Sequence, residues 1–361
     1  MKVYPLKSLT LEEAAQKQFR LVDEMTKVFK GEESLSLGDL GIHPDYNAPK
    51  TTIKVENVIA NFFKSEASIF VRGAGTGAIK EALCSVLKPN DNLLVHTAEI
   101  YSTTKTTIEQ CGFKIVQADF NNLDEIKKIL TASIEVKAAL VQTTRQSIHD
   151  SYQIDKVIET IKSTKDIPVI TDDNYAVMKI DKIGAQVNAD LSCFSCFKLL
   201  GPEGIGMVVG KKEYIDKIRS FHYSGGSQTQ GYQALEALRG MIFSPVTHAL
   251  QAIESEKIID KLNSGAIEKV KSAIIVNAQS KVILVEFKEP IAKEVLRRSN
   301  ELGAAPYPIG AESKYEMVPM FYRLSGTMRA EKEEYTTHWI RINPMRSSAE
   351  TVLRILEEAT K

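Results

Sequence analysis

Apolar positions recur at helical spacing from the start of the chain. Thr10 to Glu13 has the capping-box pattern, and Leu11, Ala15, Phe19, Val22, Met25 and Phe29 follow as one amphipathic stripe until Gly31 stops it. The next stretch, SLSLGDLGIHPDYNAPKTT, has little periodicity and many Gly, Pro and Asn residues. It is too long for an ordinary connection and predicts an arm across a partner or an active site. A second helix, predicted from Thr52 to Lys64, leads to a short buried strand from Ala67 to Val71. Beyond it, β-branched runs alternate with helical patterns, as in a parallel sheet with helices on its faces. Strands are predicted at Asn92 to His96, Lys114 to Ala118, Ala138 to Gln142, Val169 to Asp172, Leu191 to Phe194 and Ile205 to Val209. Helices are predicted at Gly77 to Leu87, Thr103 to Cys111, Leu123 to Leu130 and Asp155 to Ser163.

After Gly210 the pattern changes. A helix is expected from Lys211 to His222, then a Gly/Ser loop from Ser224 to Ser227, then a long helix reaching Leu262 that Pro245 should kink. The last hundred residues mix strands, near Ser280 to Phe287 and His338 to Asn343, with helices at Ile291 to Leu302 and Ser348 to Ala359. The expected fold class is α/β, a three-layer sandwich with a mostly parallel sheet plus a smaller α+β domain. The expected division is 1–49 as N-terminal helix and arm, 50–262 as the large domain and 263–361 as the small one.

Composition narrows the function classes. With 43% hydrophobic and 25% charged residues, the 361-residue chain is neither disordered nor fibrous. Lys+Arg and Asp+Glu number 46 each, so no net field favours nucleic acid or an anionic membrane. Small molecules and further copies of the chain are the expected partners. The start, MKVYPLKSLTLEEAAQ, has no apolar signal segment, and no run approaches a membrane span, so a cytoplasmic location is expected. Cys84, Cys111, Cys193 and Cys196 are too few and too unevenly placed for a disulfide framework. Cys193 and Cys196 form a C-x-x-C in an apolar strand with no second pair or histidine cluster, and read as buried structural thiols; no metal site is expected.

Chemistry concentrates around SCFSCFKLLGPEGIGMVVG, residues 192–210. Lys198 stands alone between two buried strands. Burying its ammonium unpaired would cost several kcal/mol, so it should be neutralised or bonded covalently. A lysine that bonds the aldehyde of pyridoxal phosphate satisfies both demands. Upstream, RGAGTGA (72–78) follows a strand and opens a helix, where glycines and free N–H groups suit an anion. Two readings stay open there. One is a cup for a single cofactor phosphate; the other is a dinucleotide turn, with Glu99 placed for a ribose and an NAD(P)-dependent oxidoreductase as the outcome. Asp172 and Asp173 close a strand at its carboxyl end, where open α/β sheets bind ligands. One carboxylate there would keep a pyridine nitrogen protonated, making the ring an electron sink for a carbanion at a substrate Cα.

The order of Gly-rich turn, Tyr101, Asp172, Lys198 and a late arginine resembles the fold type I pyridoxal-phosphate enzymes, the aspartate aminotransferase superfamily. SCFKLLGPEGIGMVVGK is similar to the lysine segment of cysteine desulfurases and class V aminotransferases. YNAPKTTIKVENVIANFF, GAGTGAI, IYSTTKTTIEQCGF and LEALRGM resemble the cystathionine γ-synthase and methionine γ-lyase branch, and VQTTRQS and TDDNYA resemble lyase-like proteins of aluminium resistance. From about residue 30 to the end, the chain most resembles the YhfS-like group.

The resemblance implies a homodimer or dimer of dimers acting on an amino acid, as an aminotransferase or a β/γ-elimination lyase. Lys198 would anchor the cofactor and shuttle the Cα proton, and Asp172 would pair with the pyridine nitrogen, with Asp173 as the alternative. Tyr101 would stack on the ring. Gly75, Thr76 and Gly77 amides with the Ser195 hydroxyl would bind the phosphate, and Gln142, Arg145 or Gln146 would meet the ring hydroxyl. Arg341 in WIRINPMR would grip a substrate carboxylate, with Arg346 in reserve. Tyr46 would reach a phosphate across a dimer interface. Phe197 replaces the histidine that desulfurases use for proton transfer, which argues against desulfurase activity. A non-catalytic pyridoxal-phosphate-binding protein is a further alternative.

Overall fold

The computed structural model describes residues 3–277, 281–310 and 312–361. Its large sheet has seven strands: β1 (Ala67–Arg72), β2 (Asn92–His96), β3 (Lys114–Ala118), β4 (Val136–Gln142), β5 (Val169–Asp172), β6 (Leu191–Ser195) and β7 (Ile205–Gly210). They are ordered β1-β7-β6-β5-β4-β2-β3. The pairings from β6 to β3 are parallel, while β7 runs antiparallel to both β6 and β1. Helices α1 (Leu11–Val28), α2 (Lys50–Phe63), α3 (Ala74–Val86), α4 (Ser102–Gln110), α5 (Leu123–Thr131), α6 (Ile154–Thr164), α7 (Lys212–Phe221) and α8 (Gly231–Asn263) surround it.

The two-residue alternation of the strands builds the three layers. Ile69, Val71, Leu93, Leu140, Ile170 and Val208 face one core with α3 and α7. The intervening Phe70, Phe194, Met207 and Val209 face the opposite core, under α2 and α8. Toward β3, Leu94, Ala139, Val141 and Val169 meet α5 and α6. Each of the larger side chains among these, Val, Leu, Ile, Phe or Met, contributes about 1.5–3 kcal/mol by leaving water.

A second, antiparallel sheet has the order β10-β11-β9-β8, formed by β8 (Val270–Val276), β9 (Val282–Phe287), β10 (Met320–Tyr322) and β11 (Trp339–Asn343). Helices α9 (Ala292–Glu301), α10 (Gly326–Glu331), α11 (Glu334–Thr337) and α12 (Ala349–Thr360) complete this part of the chain. Ile283, Val285, Phe287, Ile340 and Ile342 pack with α9, α12 and the end of α8. Val276, Val282, Leu284, Tyr322 and Trp339 share the other face.

Several details differ from the sequence reading. The α1 capping box forms, but the helix buries Ala14, Lys17 and Leu21 while Leu11, Phe19 and Val22 are exposed. Strands β8 and β10 were not anticipated, and the predicted strand start at Ser280 lies outside the described residues. Helix α8 continues through Pro245; the Met241 carbonyl, which a proline at 245 cannot bond, accepts the Ser244 hydroxyl at 2.9 Å. The irregular arm is pinned by Asp39, whose carboxylate accepts the Lys50 and Thr51 amides at 2.8 and 3.0 Å and whose carbonyl accepts the Gly231 amide. Among the described residues no helix is long and apolar enough to cross a membrane.

Candidate active site

Helix α3 begins at Ala74, three residues before the predicted start, so the glycine turn becomes its first turn. Gly73 adopts φ +92° as its N-cap, and the Gly204 carbonyl accepts both the Gly73 and Ala74 amides at 2.9 and 3.1 Å. The lysine segment and the glycine turn are thereby joined backbone to backbone. Gly77 donates its amide to the Gly73 carbonyl at 2.9 Å, so that amide is committed within the helix. Gly75 and Thr76 sit at helical positions whose N–H groups have no acceptor in their own helix, and the helix dipole favours an anion in front of them.

These residues border a cavity of about 700 Å³ at the carboxyl ends of the parallel strands. Its lining includes Gly75, Thr76, Tyr101, Gln142, Asp172, Lys198 and Arg341, contributed by both sheets and their connections. Lys198 follows β6. Among the described residues its ammonium has no hydrogen bond or ion pair and lies over the Tyr175 ring, 4.7 Å from the centroid. Burial pushes its pKa below the usual 10.5, opposed by Asp172, Glu312 and Glu316. Behind it, His248 Nε2 stands 3.2 Å from the Lys198 carbonyl. A carbonyl only accepts, so Nε2 carries the proton, and burial holds this imidazole neutral, well below its ordinary pKa.

The two acids separate by the alternation at a strand end. Asp172 lines the cavity, and its Oδ1 accepts the Asn174 amide at 3.1 Å and Asn174 Nδ2 at 2.8 Å. Burial pushes its pKa up, while those bonds and Lys198 pull it down. Asp173 is fully buried and turned toward the scaffold, where Thr143 and Thr171 hydroxyls donate to it at 2.6 and 2.5 Å.

Other predicted residues divide similarly. Tyr101 is 38% exposed and caps α4 beside the cavity. Gln142 and Gln146 line the cavity, whereas Arg145 is buried and donates to the Tyr152 and Tyr4 carbonyls. Ser195 is buried at the end of β6 and is not part of the lining. Arg341 projects from the cavity face of the small sheet, its guanidinium 4.2 Å from the Tyr322 ring centroid and its Nε donating to the Arg323 carbonyl at 2.8 Å. Arg346 is committed elsewhere, to Gln251 Oε1 at 3.0 Å and the Glu312 carbonyl. Tyr46 lies 48% exposed on the arm and outside this lining.

Sequence reasoning missed Asn174, Tyr175 and His248. The first two stand in the TDDNYA run that drew attention to Asp172; His248 carried no local signal. A Cβ on Gly75 would fall 1.9 Å from Asn174 Oδ1, so only glycine lets α3 approach this close. Among the described residues, no cluster of three or more His, Cys, Asp or Glu is placed to hold a metal ion.

The class-V aminotransferase family matches residues 14–280, and the YhfS-like C-terminal domain family matches residues 256–356. The chain is 53% identical over 359 residues to the uncharacterized protein YhfS of Escherichia coli K12, covering 99% of both. The chain belongs to the class-V aminotransferase family of pyridoxal-phosphate-dependent enzymes. The crystal structure of the pyridoxal-5'-phosphate-dependent YhfS from Escherichia coli matches with a TM-score of 0.98, covering 100% of this chain and 99% of that one. Cystathionine γ-lyase (CalE6) from Micromonospora echinospora shares the fold, with a TM-score of 0.71 at 14% identity over 95% of this chain and 98% of its own. A cysteine desulfurase of Wigglesworthia glossinidia brevipalpis is 24% identical over 201 residues, which span 52% of this chain and 48% of that protein. The cofactor of this family is pyridoxal phosphate, so the dinucleotide reading of the glycine turn falls. The sheet agrees: β1 is an edge strand whose neighbour runs antiparallel, unlike the first strand of a dinucleotide fold.

The donor set fits pyridoxal phosphate. A helix N-terminus, a lysine without a hydrogen bond or ion pair among the described residues, and a carboxylate face one cavity. Two buried atoms of lining residues, Asn174 Oδ1 and Thr144 Oγ1, have no hydrogen-bond partner among the described residues.

The lowered Lys198 pKa has a testable sign. Its free base appears at lower pH than in an ordinary lysine, so capture of added pyridoxal phosphate by apo-protein should accelerate with pH and level off below 10.5. Asp172 favours the ammonium, so Asp172→Asn should move that midpoint lower still. Stopped-flow absorbance checks both; a midpoint at or above 10.5 would contradict the burial argument.

Proposed function

We propose that this protein transforms an amino acid at Cα by a carbanion route, as a transaminase or a β/γ-eliminating lyase. The observation carrying the proposal is the Lys198 ammonium, without a hydrogen bond or ion pair among the described residues, in one cavity with Asp172, Arg341 and the α3 N-terminus. Pyridoxal phosphate, when bound, supplies the electron sink for that carbanion.

Lys198 Nζ is the covalent anchor, and as a free base it takes the proton from the substrate Cα. Asp172 would hold the pyridine nitrogen and keep it protonated. The Gly75 and Thr76 amides would bind the phosphate, while Tyr101 would cover the ring and Gln142 or Gln146 would meet its hydroxyl. Arg341 binds the substrate carboxylate through two parallel N–H bonds. Phe197 offers no proton at the position where desulfurases carry histidine, so persulfide chemistry is not proposed.

A second copy of the chain is the proposed partner. Leu35, Leu37 and Leu40 on the arm and Phe243 on α8 are 84%, 81%, 73% and 60% exposed, apolar side chains that a second copy would cover.

To test the reaction, holoprotein is titrated with individual amino acids in D2O while its visible spectrum is recorded. A substrate should shift the absorbance and exchange its Cα hydrogen; an oxo acid or released ammonia then separates transamination from elimination. The same preparation should sediment at twice 40.1 kDa. A coloured protein whose spectrum and Cα exchange respond to no amino acid would favour a non-catalytic cofactor binder.

A further inference from the structure

Two thiols have no part in that reading. Cys84 lies in the last turn of α3 and Cys111 at the C-cap of α4, with their Sγ atoms 3.8 Å apart. Both are partly buried, whereas Cys193 and Cys196 are fully enclosed. A disulfide places its sulfurs about 2.05 Å apart, so closure asks for a movement of under roughly 2 Å. Helices α3 and α4 pack together, and their opposite ends meet where Thr76 Oγ1 donates to Thr103 Oγ1 at 3.1 Å. Those ends border the cavity.

We propose that Cys84 and Cys111 are a reversible modification site that closes to an intramolecular disulfide on reaction with a low-molecular-weight disulfide. Burial and the neighbouring sulfur push the Cys84 thiol up to about 11, so it is less often thiolate than an ordinary cysteine. The Cys111 thiolate attacks one sulfur of the small disulfide, breaking its S–S bond and expelling one thiolate. Cys84 then loses its proton to solvent and attacks the Cys111 sulfur, forming the protein disulfide and expelling the second thiolate. Two cysteine thiols give up two electrons, and the small disulfide is reduced to two thiols that recover the two protons. The product staples together the far ends of two helices whose near ends carry Thr76 and Thr103.

The test uses holoprotein incubated with excess 2-hydroxyethyl disulfide, then alkylated and digested without reductant. Expected is a cross-linked peptide pair holding Cys84 and Cys111, two hydrogens lighter than the separate thiol peptides, which dithiothreitol releases. In Cys84→Ser the mixed disulfide should instead persist on Cys111, while Cys193 and Cys196 stay unmodified in both proteins. The inference is overturned if wild-type protein keeps a mixed disulfide on Cys111, leaves both Cys84 and Cys111 as free thiols, or cross-links Cys193 to Cys196. The wild-type measurement stands alone even if the variant folds poorly.

Discussion

Replacing Lys198 by alanine should leave a folded protein that retains no cofactor after borohydride reduction and turns over roughly 100- to 10,000-fold more slowly, the range for losing a positioned acid–base group. The fold should survive because the Lys198 ammonium contributes no hydrogen bond or ion pair among the described residues and lies over the Tyr175 ring. Lys198→Arg keeps the positive charge but removes the nucleophilic amine, so it should fail as completely as alanine. The reading is checked by mapping the reduced label in the parent protein. Label on Lys179, the other buried lysine near this site, or unimpaired turnover in Lys198→Ala, would remove Lys198 from the chemistry.

The second large effect is on stability. Lys179, just beyond β5, is buried and paired with the fully enclosed Glu312, which enters from the small-sheet side of the chain. Gln251 on α8 donates to Glu312 Oε1 and to Asn343 Oδ1, both at 2.8 Å, and receives Arg346 at its own Oε1. Burial lowers the Lys179 pKa even beside its partner, so this pair is costly to desolvate. Breaking it on one side should therefore cost more than removing it. Lys179→Met is expected to lose about 3–5 kcal/mol in denaturant unfolding by stranding a buried carboxylate. Lys179→Met with Glu312→Gln should recover a substantial part of that loss. A double variant as unstable as the sum of its singles would mean that the two charges do not act as a pair.

The sequence carried the large sheet well because its strands are short β-branched runs bounded by turn residues. Strands β2, β3 and β5 begin and end where Asn92–His96, Lys114–Ala118 and Val169–Asp172 were expected. Strand β8 escaped because Lys271 and Ser272 dilute its apolar pattern directly after a long helix, and β10 because three residues make no pattern. The start of α3 was misplaced because glycine has poor helix propensity. Its first turn is held by tertiary bonds from the Gly204 carbonyl, which no local reading contains. At the site, Lys198 and Asp172 were legible as charges in apolar runs. Asn174 and His248 were not, since their importance lies in which atoms they meet across the fold. The α1 stripe of Leu11, Phe19 and Val22 was visible as apolar, but periodicity alone does not say whether such a face meets its own core or stays exposed.

The single partner of strand β1 bears on how the chain is made. Among the described residues its ladder pairs Ala67–Arg72 with Ile205–Gly210 alone, so the strand leaves the ribosome about 130 residues ahead of the segment that completes it. At roughly 5–20 residues per second, Ile69, Phe70 and Val71 wait on the order of ten seconds as an unpaired apolar edge. The newborn chain therefore carries an exposed strand edge until the lysine segment is synthesised, and arrival of that segment both pairs β1 and brings the Gly204 carbonyl to the glycine turn.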